Sequence, residues 1–252
     1  MPDHSSMKLG CQPPRRDMRT LRLANYLTAE LPPIPTARKW SADTTATWGM
    51  MQNDRLGDCT CAGAGHAIQT WTAAAGAEVT ITDSAVVAAY EAVSGYDPAY
   101  PETDNGAVML DVLNYWRKNG IGGHRIGAFM AVNPLNQAHV RAAIELFGGI
   151  YVGARLPLSA QEQAIWDVPE AGSVGRGAPG SWGGHCIFTP DFDPDGFNCV
   201  TWGALKRMTS DWWITYVSEA WAIISADFLV DGKSPNGFDL PALQADLELV
   251  CR

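Results

Sequence analysis

Asn53-Asp54-Arg55-Leu56-Gly57-Asp58-Cys59-Thr60-Cys61-Ala62 runs directly into Gly63-Ala64-Gly65-His66-Ala67, a stretch of small residues suited to a helix packed closely on both sides. The pattern predicts a buried helix from Cys59 to about Ala75. A cysteine that opens a helix faces unpaired backbone N–H groups and the positive end of the macrodipole, which favours thiolate over thiol. Cys61 lies about 200° around the helix from Cys59, so only one of the two can face a cleft.

Far downstream, Gly183-Gly184-His185-Cys186-Ile187-Phe188 places a histidine at the head of an apolar run, and Val200-Thr201-Trp202-Gly203 follows. Cysteine first, histidine second and a Trp-Gly pair soon after is the order of the papain-like cysteine peptidases, and several segments resemble that family. The family reads Gln-Gly-x-x-Gly-Ser-Cys at its nucleophile. Here Asn53 stands six positions before Cys59, and Leu56-Gly57-Asp58-Cys59-Thr60 is similar to the Leu-Gly-Ser-Cys-Thr of bacterial members. Leu31-Pro32-Pro33 followed by Trp40 resembles the start of the mature enzymes, and Asn119-Gly120-Ile121 resembles a turn after a helix. Val140–Ile144 followed by Gly148–Val152 resembles the entry to the second lobe, and Val200–Gly203 stands where the family has Asn-Ser-Trp-Gly. In papain-type enzymes the histidine and asparagine follow the cysteine by ~130–150 residues. Cys59 to His185 is 126 residues and Cys59 to Val200 is 141.

The resemblance implies a papain-like, two-lobed α+β fold with a cleft between a helical lobe bearing Cys59 and an antiparallel β lobe bearing His185. It implies a thiol hydrolase, a cysteine peptidase or amidase acting on a peptide or protein substrate without a cofactor. Cys59 would be the nucleophile, His185 the base, and the side chain of Asn53 with the Cys59 N–H the oxyanion donors. Trp202 would shield the imidazole. The third triad position departs from the family, because Val200 offers no hydrogen bond. Thr201 takes that place only if the strand register shifts, since neighbouring strand residues face opposite sides. Asn198 shares the parity of Val200 and is the other candidate. Asp58 is a further departure: a carboxylate beside the nucleophile opposes thiolate formation unless it turns away to cap the helix. These departures support the rival reading, a catalytically degenerate papain-fold structural or binding protein such as a phage or bacterial assembly component.

The remaining histidines are weaker bases by position. His66 shares a face with Cys59 but lies ~10 Å along the axis, too far to take its proton, and reads as a packed core histidine. His124 and His139 sit in turn-like contexts, and His4 lies near the N-terminus. Asp191-Phe192-Asp193-Pro194-Asp195-Gly196 opens like a calcium loop, but the glutamate required at loop position twelve falls on Trp202, so the segment reads as a hairpin tip. Cys59 and Cys61 have C-x-C spacing rather than the C-x-x-C of zinc sites, and no metal is expected.

Composition bounds the rest. With 252 residues, 46% apolar content, ten tryptophans and 18% charged residues, the chain has the means to build a large core. No apolar run reaches the ~18 residues of a membrane span. A net charge of −9 argues against nucleic-acid binding. No basic-then-apolar export signal is present, so reduced thiols and a cytoplasmic (or, for a phage-borne protein, virion-associated) location are expected, with Met1 and Met7 both candidate starts. The charge is uneven. Residues 1–40 carry seven Lys/Arg against Asp3, Asp17 and Glu30, for +4, leaving −13 for the remainder. With Pro13-Pro14 this reads as an extended arm lying on an acidic surface of its own subunit or of a second copy, or else as a frayed tail. The expected organisation is an arm over 1–40, a helical lobe over 41–134 and a β-rich lobe over 135–252.

Overall fold

The computed structural model describes residues 3–26 and 33–230. Leu31 and Pro32 of the quoted motif, and Cys251, lie outside the described residues. A two-residue strand β1 (Arg38–Lys39) precedes three helices, α1 (Cys59–Ala74), α2 (Asp83–Ser94) and α3 (Met109–Asn119). Strand β2 (Ile126–Val132), helix α4 (Gln137–Phe147) and strands β3 (Ile150–Leu156), β4 (Gly183–Asp193), β5 (Gly196–Thr201) and β6 (Ala204–Thr209) follow. Helix α5 (Ser210–Tyr216) and strand β7 (Val217–Ser225) complete the order.

The helices form for local reasons. Thr82 caps α2 through its side chain, which accepts from the Ala85 N–H, and Gly95 ends it in the left-handed region. Gly120, at φ +88°, ends α3. Except for Ala74, every residue of α1 is buried, as expected of a helix covered on all sides. Its glycines allow that approach: a Cβ on Gly63 would meet the Tyr151 ring at 3.1 Å, and one on Gly65 would come within 2.5 Å of Met51 Sδ. Trp71, fully buried, anchors α1 between the lobes. Its ring stacks on Trp116 of α3 at 5.6 Å and meets Phe188 of β4 edge-on at 5.7 Å, and its Nε1–H donates to the Phe147 carbonyl at 2.9 Å. Aromatic pairs of this kind add about 0.5–1.5 kcal/mol each beyond burial.

The strands form one antiparallel sheet in the order β2-β7-β3-β4-β5-β6, with β1 paired to β4. The first long strand therefore arrives before the expected lobe boundary at 134, since β2 pairs with β7 from Ile126 onward. One irregularity matters for the site. At the β4–β5 tip Asp191 faces Asn198, but further along Phe188 faces Val200, so β4 carries one extra residue within Thr189-Pro190. Proline lacks the N–H a ladder needs and sits in strands at such bulges.

The arm lies on its own subunit. The Cys11 N–H donates to the Gly184 carbonyl at 3.0 Å, the Ala107 N–H to the Gly10 carbonyl at 2.8 Å, and the Gln12 N–H to the Ala107 carbonyl at 3.0 Å. Arg15 forms a two-pronged ion pair with Asp111 of α3. The Ala131 N–H donates to the Leu21 carbonyl, so the arm also covers the β2 edge of the sheet. No helix among the described residues is long and apolar enough to cross a membrane.

Candidate active site

Cys59 opens α1 and is buried; its sulfur accepts the backbone N–H of Cys186 at 3.3 Å. Cys59 on the helical lobe therefore abuts the residue that directly follows His185 on β4. Cys61 is fully buried on another side of the helix, and burial drives its thiol pKa up. His66 is also in the core, its Nε2 2.8 Å from the Gly49 carbonyl, and burial pushes its pKa down to about 4.

His185 is fully buried. Its Nε2 lies 2.7 Å from Thr201 Oγ1, and its ring stacks on Trp202 with centroids 4.5 Å apart. Its Nδ1 has no hydrogen-bond partner among the described residues. The β-bulge accounts for this choice of partner. Extending the hairpin-tip register would put Val200 and Asn198 on the face of His185. The one-residue slip at Thr189-Pro190 reverses the parity and turns Thr201 there instead. Val200 is fully buried on the opposite face, and Asn198 is held elsewhere by donating its Nδ2 to Asp191 at 3.2 Å. Trp202 follows in the left-handed region, at φ +46°.

Asn53 is buried, and its Nδ2 donates to the Leu56 carbonyl at 3.1 Å within its own loop. Asp58 occupies the N-cap position of α1, but its side chain makes no capping hydrogen bond. Neither carboxylate oxygen makes a hydrogen bond of ordinary geometry among the described residues, and burial lifts its pKa to about 8, the Asn53 amide offsetting only part of the rise. The carboxyl is thus largely neutral at pH 7 and opposes the thiolate less than a charged group would. The hairpin carboxylates have internal partners: Asp191 accepts from Ser41, and Asp193 pairs with Arg207 through both oxygens.

The feature that sequence reasoning missed is the path of the arm through this site. Its backbone crosses between Ala107 of the helical lobe and Gly184 of the β lobe, and the imidazole of His4 stacks on Trp202 with ring centroids 5.1 Å apart. A Cβ on Gly10 would collide with the backbone of Gly57, and one on Gly184 with the carbonyl of Cys11. Glycines on both sides of the crossing were the available signal. Under this cover Cys59 and His185 are both held uncharged. Burial raises the Cys59 thiol to about 12, with Asp58 adding to the rise and the N–H groups of Cys186, Gly10 and Thr60 opposing it. Burial lowers His185 to about 3.

The sequence matches no protein-family model and no curated protein sequence. Solved structures do match. Xylellain, a cysteine protease from Xylella fastidiosa, superposes with a TM-score of 0.64 at 14% identity, covering 88% of this chain and 97% of that one. A Carica candamarcensis cysteine protease in complex with E-64 gives 0.55 at 13% identity, over 76% and 99%. Digestive procathepsin L 3 of Tenebrio molitor larval midgut gives 0.61 at 10% identity, over 88% and 77%. The fold is the papain-like, two-lobed α+β fold, with Cys59 at the head of its central helix.

Proposed function

We propose that this chain is a papain-like thiol hydrolase, a cysteine peptidase or amidase, with Cys59 as nucleophile and His185 as base, held latent by its own N-terminal arm. The observation that carries this reading is the His185 environment: one ring nitrogen held by Thr201 at 2.7 Å, the ring backed by Trp202, and the other nitrogen left without a partner. A merely structural histidine buried this deeply would be expected to satisfy both nitrogens. The way the cleft holds the arm, by main-chain bonds from both lobes, fits an extended polypeptide as ligand.

In the reaction His185 takes the thiol proton and the sulfur attacks the amide carbonyl carbon. The carbon–nitrogen bond then breaks as His185 returns the proton to the leaving amine, and water cleaves the resulting thioester. Thr201 and Trp202 keep the imidazole from rotating away. The Cys59 N–H and the Asn53 amide, on releasing Leu56, meet the oxyanion.

The chemistry requires a charged thiolate–imidazolium pair, whereas burial under the arm favours the neutral one, so withdrawal of the arm and entry of water are part of activation. The burial of both groups and the unpaired Asp58 favour the second reading, a catalytically silent assembly or binding protein of the same fold. The two are separated by iodoacetamide alkylation, site by site, and peptide-amide hydrolysis, both on protein whose arm has been displaced by substitution. The hydrolase reading expects Cys59 to react faster than Cys11 and expects His185→Ala to slow it near neutral pH. Equal reactivity of the two cysteines, with no hydrolysis, selects the silent protein.

A further inference from the structure

Three cysteines from separate parts of the chain converge where the arm crosses the cleft, and the acyl transfer uses only Cys59. Cys59 opens α1, Cys186 follows His185 on β4, and Cys11 lies on the arm between the walls. Two of them are tied to one edge of β4. The Cys11 N–H donates to the Gly184 carbonyl at 3.0 Å, and the Cys186 N–H donates to the Cys59 sulfur at 3.3 Å. A strand repeats every two residues, so the main-chain groups of Gly184 and Cys186 point the same way and hold Cys11 and Cys59 side by side. The N–H of Gly10, directly before Cys11, also bears on the Cys59 sulfur. The two thiols are near enough that charge on Cys59 adds to the rise of the Cys11 pKa that burial begins.

Cys11 is half-buried, and its thiol makes a weak local bond, to the carbonyl of Gln12 at 3.7 Å. Cys186 is placed otherwise. Its sulfur is turned to α1, where a Cβ on Gly63 would meet it at 3.3 Å, and the Tyr151 ring lies against the same glycine. Tyr151 is pinned there by donating its hydroxyl to the Thr60 carbonyl at 2.6 Å. Cys61 is buried on another side of α1. Cys59, rather than Cys186 or Cys61, therefore faces the arm.

We infer that Cys11 is a resolving thiol for Cys59, and that a low-molecular-weight disulfide such as oxidised glutathione joins the two into an intramolecular disulfide that fastens the arm in the cleft. This rests on the arm lifting to expose a reactive Cys59, as the hydrolase reading requires. With the arm lifted, the Cys59 thiolate attacks one sulfur of oxidised glutathione, and a glutathione thiolate leaves. When the arm returns, the Cys11 thiolate attacks the Cys59 sulfur and expels the second glutathione. Two protein thiols are oxidised, one small disulfide is reduced, and the two protons pass to the glutathione thiols. Excess dithiothreitol reverses both exchanges. Oxidation thus locks the latent form and masks the nucleophile, and reduction frees both.

The test is an equilibrium measurement on the full-length protein, so it does not depend on how often the arm lifts. Wild type is equilibrated at pH 8 in buffers graded from reduced to oxidised glutathione, once folded and once in concentrated urea, starting from both the reduced and the oxidised chain. Acid quenching, alkylation, digestion without reductant and mass mapping then read each cross-link. Cys11–Cys59 should be the main one. The folded protein should hold it at about tenfold or more lower ratio of oxidised to reduced glutathione than the unfolded chain, because the seated arm raises the local thiol concentration. Cys186→Ala should leave it in place. No cross-link, one no more stable folded than in urea, or a main cross-link from Cys11 to Cys186 overturns the latch.

Failure of the latch and failure of the hydrolase reading are separable. Amide hydrolysis by reduced, arm-displaced protein, with no folded-state preference for the cross-link in wild type, retires the latch alone. A strong Cys11–Cys59 preference in a chain that hydrolyses no amide when reduced and arm-displaced retires the hydrolase and leaves the latch standing.

Discussion

The two walls of the cleft reach their geometry by different routes. On the helical side Cys59 is placed by where α1 begins, and nearly all the determinants of that start lie within a dozen residues. On the β side the partner of His185 is chosen by a single extra residue at Thr189-Pro190, between strands whose pairing depends on chain far apart in sequence. Moving the start of a helix by one residue rotates a side chain by 100°; slipping a strand by one residue sends every side chain to the other face. Cys59 is therefore set locally and the partner of His185 by long-range register, and the arm bonds to both walls.

The largest expected effect comes from removing the arm from both walls at once. Gly10→Val places a branched side chain where even a Cβ meets the Gly57 backbone. Losing that cover should bring the Cys59 pKa from about 12 back toward the ordinary 9.0, raising the thiolate fraction at pH 7 by about a thousandfold. Iodoacetamide labelling followed by peptide mass mapping reads this directly. Labelling of Cys59 that stays within a few-fold of wild type would show that the arm does not govern the thiol. Cys61, buried on another side of α1, should stay unreactive in both proteins.

The next test addresses the β wall alone. Thr201→Val keeps the volume but takes away the hydroxyl at 2.7 Å from Nε2, leaving a buried ring nitrogen unpaired. Stability should fall by about 1–3 kcal/mol, and Cys59 labelling in the Gly10→Val background by about tenfold or more. Val200→Asn, which an alignment to the family would suggest as a repair, should give no gain. Its side chain faces away from His185, and a buried amide there should lower stability by about 1–3 kcal/mol. A rise in reactivity on Val200→Asn would mean that the bulge is not where His185 gets its partner.

These contrasts mark what the sequence carried. Helix α1 and the end of α3 were legible to within a residue or two, because a run of small residues and a closing Asn-Gly are local signals. Cys59 and His185 were legible by motif. Thr201 was legible only as a condition on register, and the condition turned on a proline inside a strand whose meaning depends on the pairing strand. Strands β2 and β6 escaped notice because the burial of each is decided by neighbours distant in the chain. The arm was readable as charged and extended, but its path was not. What guides it is the absence of side chains at Gly10, Gly57, Gly106 and Gly184, visible only once those four glycines meet.

Asp58 gives a smaller effect, confined to the helical wall and dependent on pH. Its folded pKa of about 8 lies above the ordinary 3.8, so between those values the folded chain holds a proton that the unfolded chain has released. Stability from this group is therefore full at acid pH and declines as pH rises through that window. Asp58→Asn should remove the decline, gaining on wild type as pH rises from 5 to about 8 and holding that gain above it. It should also ease thiolate formation at Cys59, since the carboxylate opposes it. Parallel melting curves for the two proteins across pH would mean that Asp58 is solvated in solution.

The smallest expected effect tests what holds the arm down. The ion pair of Arg15 with Asp111 joins the arm to α3, yet both side chains are well exposed, at 54% and 36%. Exposed pairs contribute roughly 0–1 kcal/mol and weaken as salt screens them. The main-chain bonds of residues 10–12 and the packing at Gly10 are shielded from salt, so they should dominate the seating of the arm. Arg15→Ala should then raise Cys59 labelling only about two- to fivefold at low ionic strength, and the difference should vanish near 0.5 M salt, where the wild-type pair is already screened. Gly10→Val, in contrast, should keep its effect at every ionic strength. If Arg15→Ala matched Gly10→Val, or if salt alone freed the thiol in wild type, the arm would be held by charge rather than by shape. Its +4 balance would then govern access to Cys59, in place of the four glycines that let it pass between the walls.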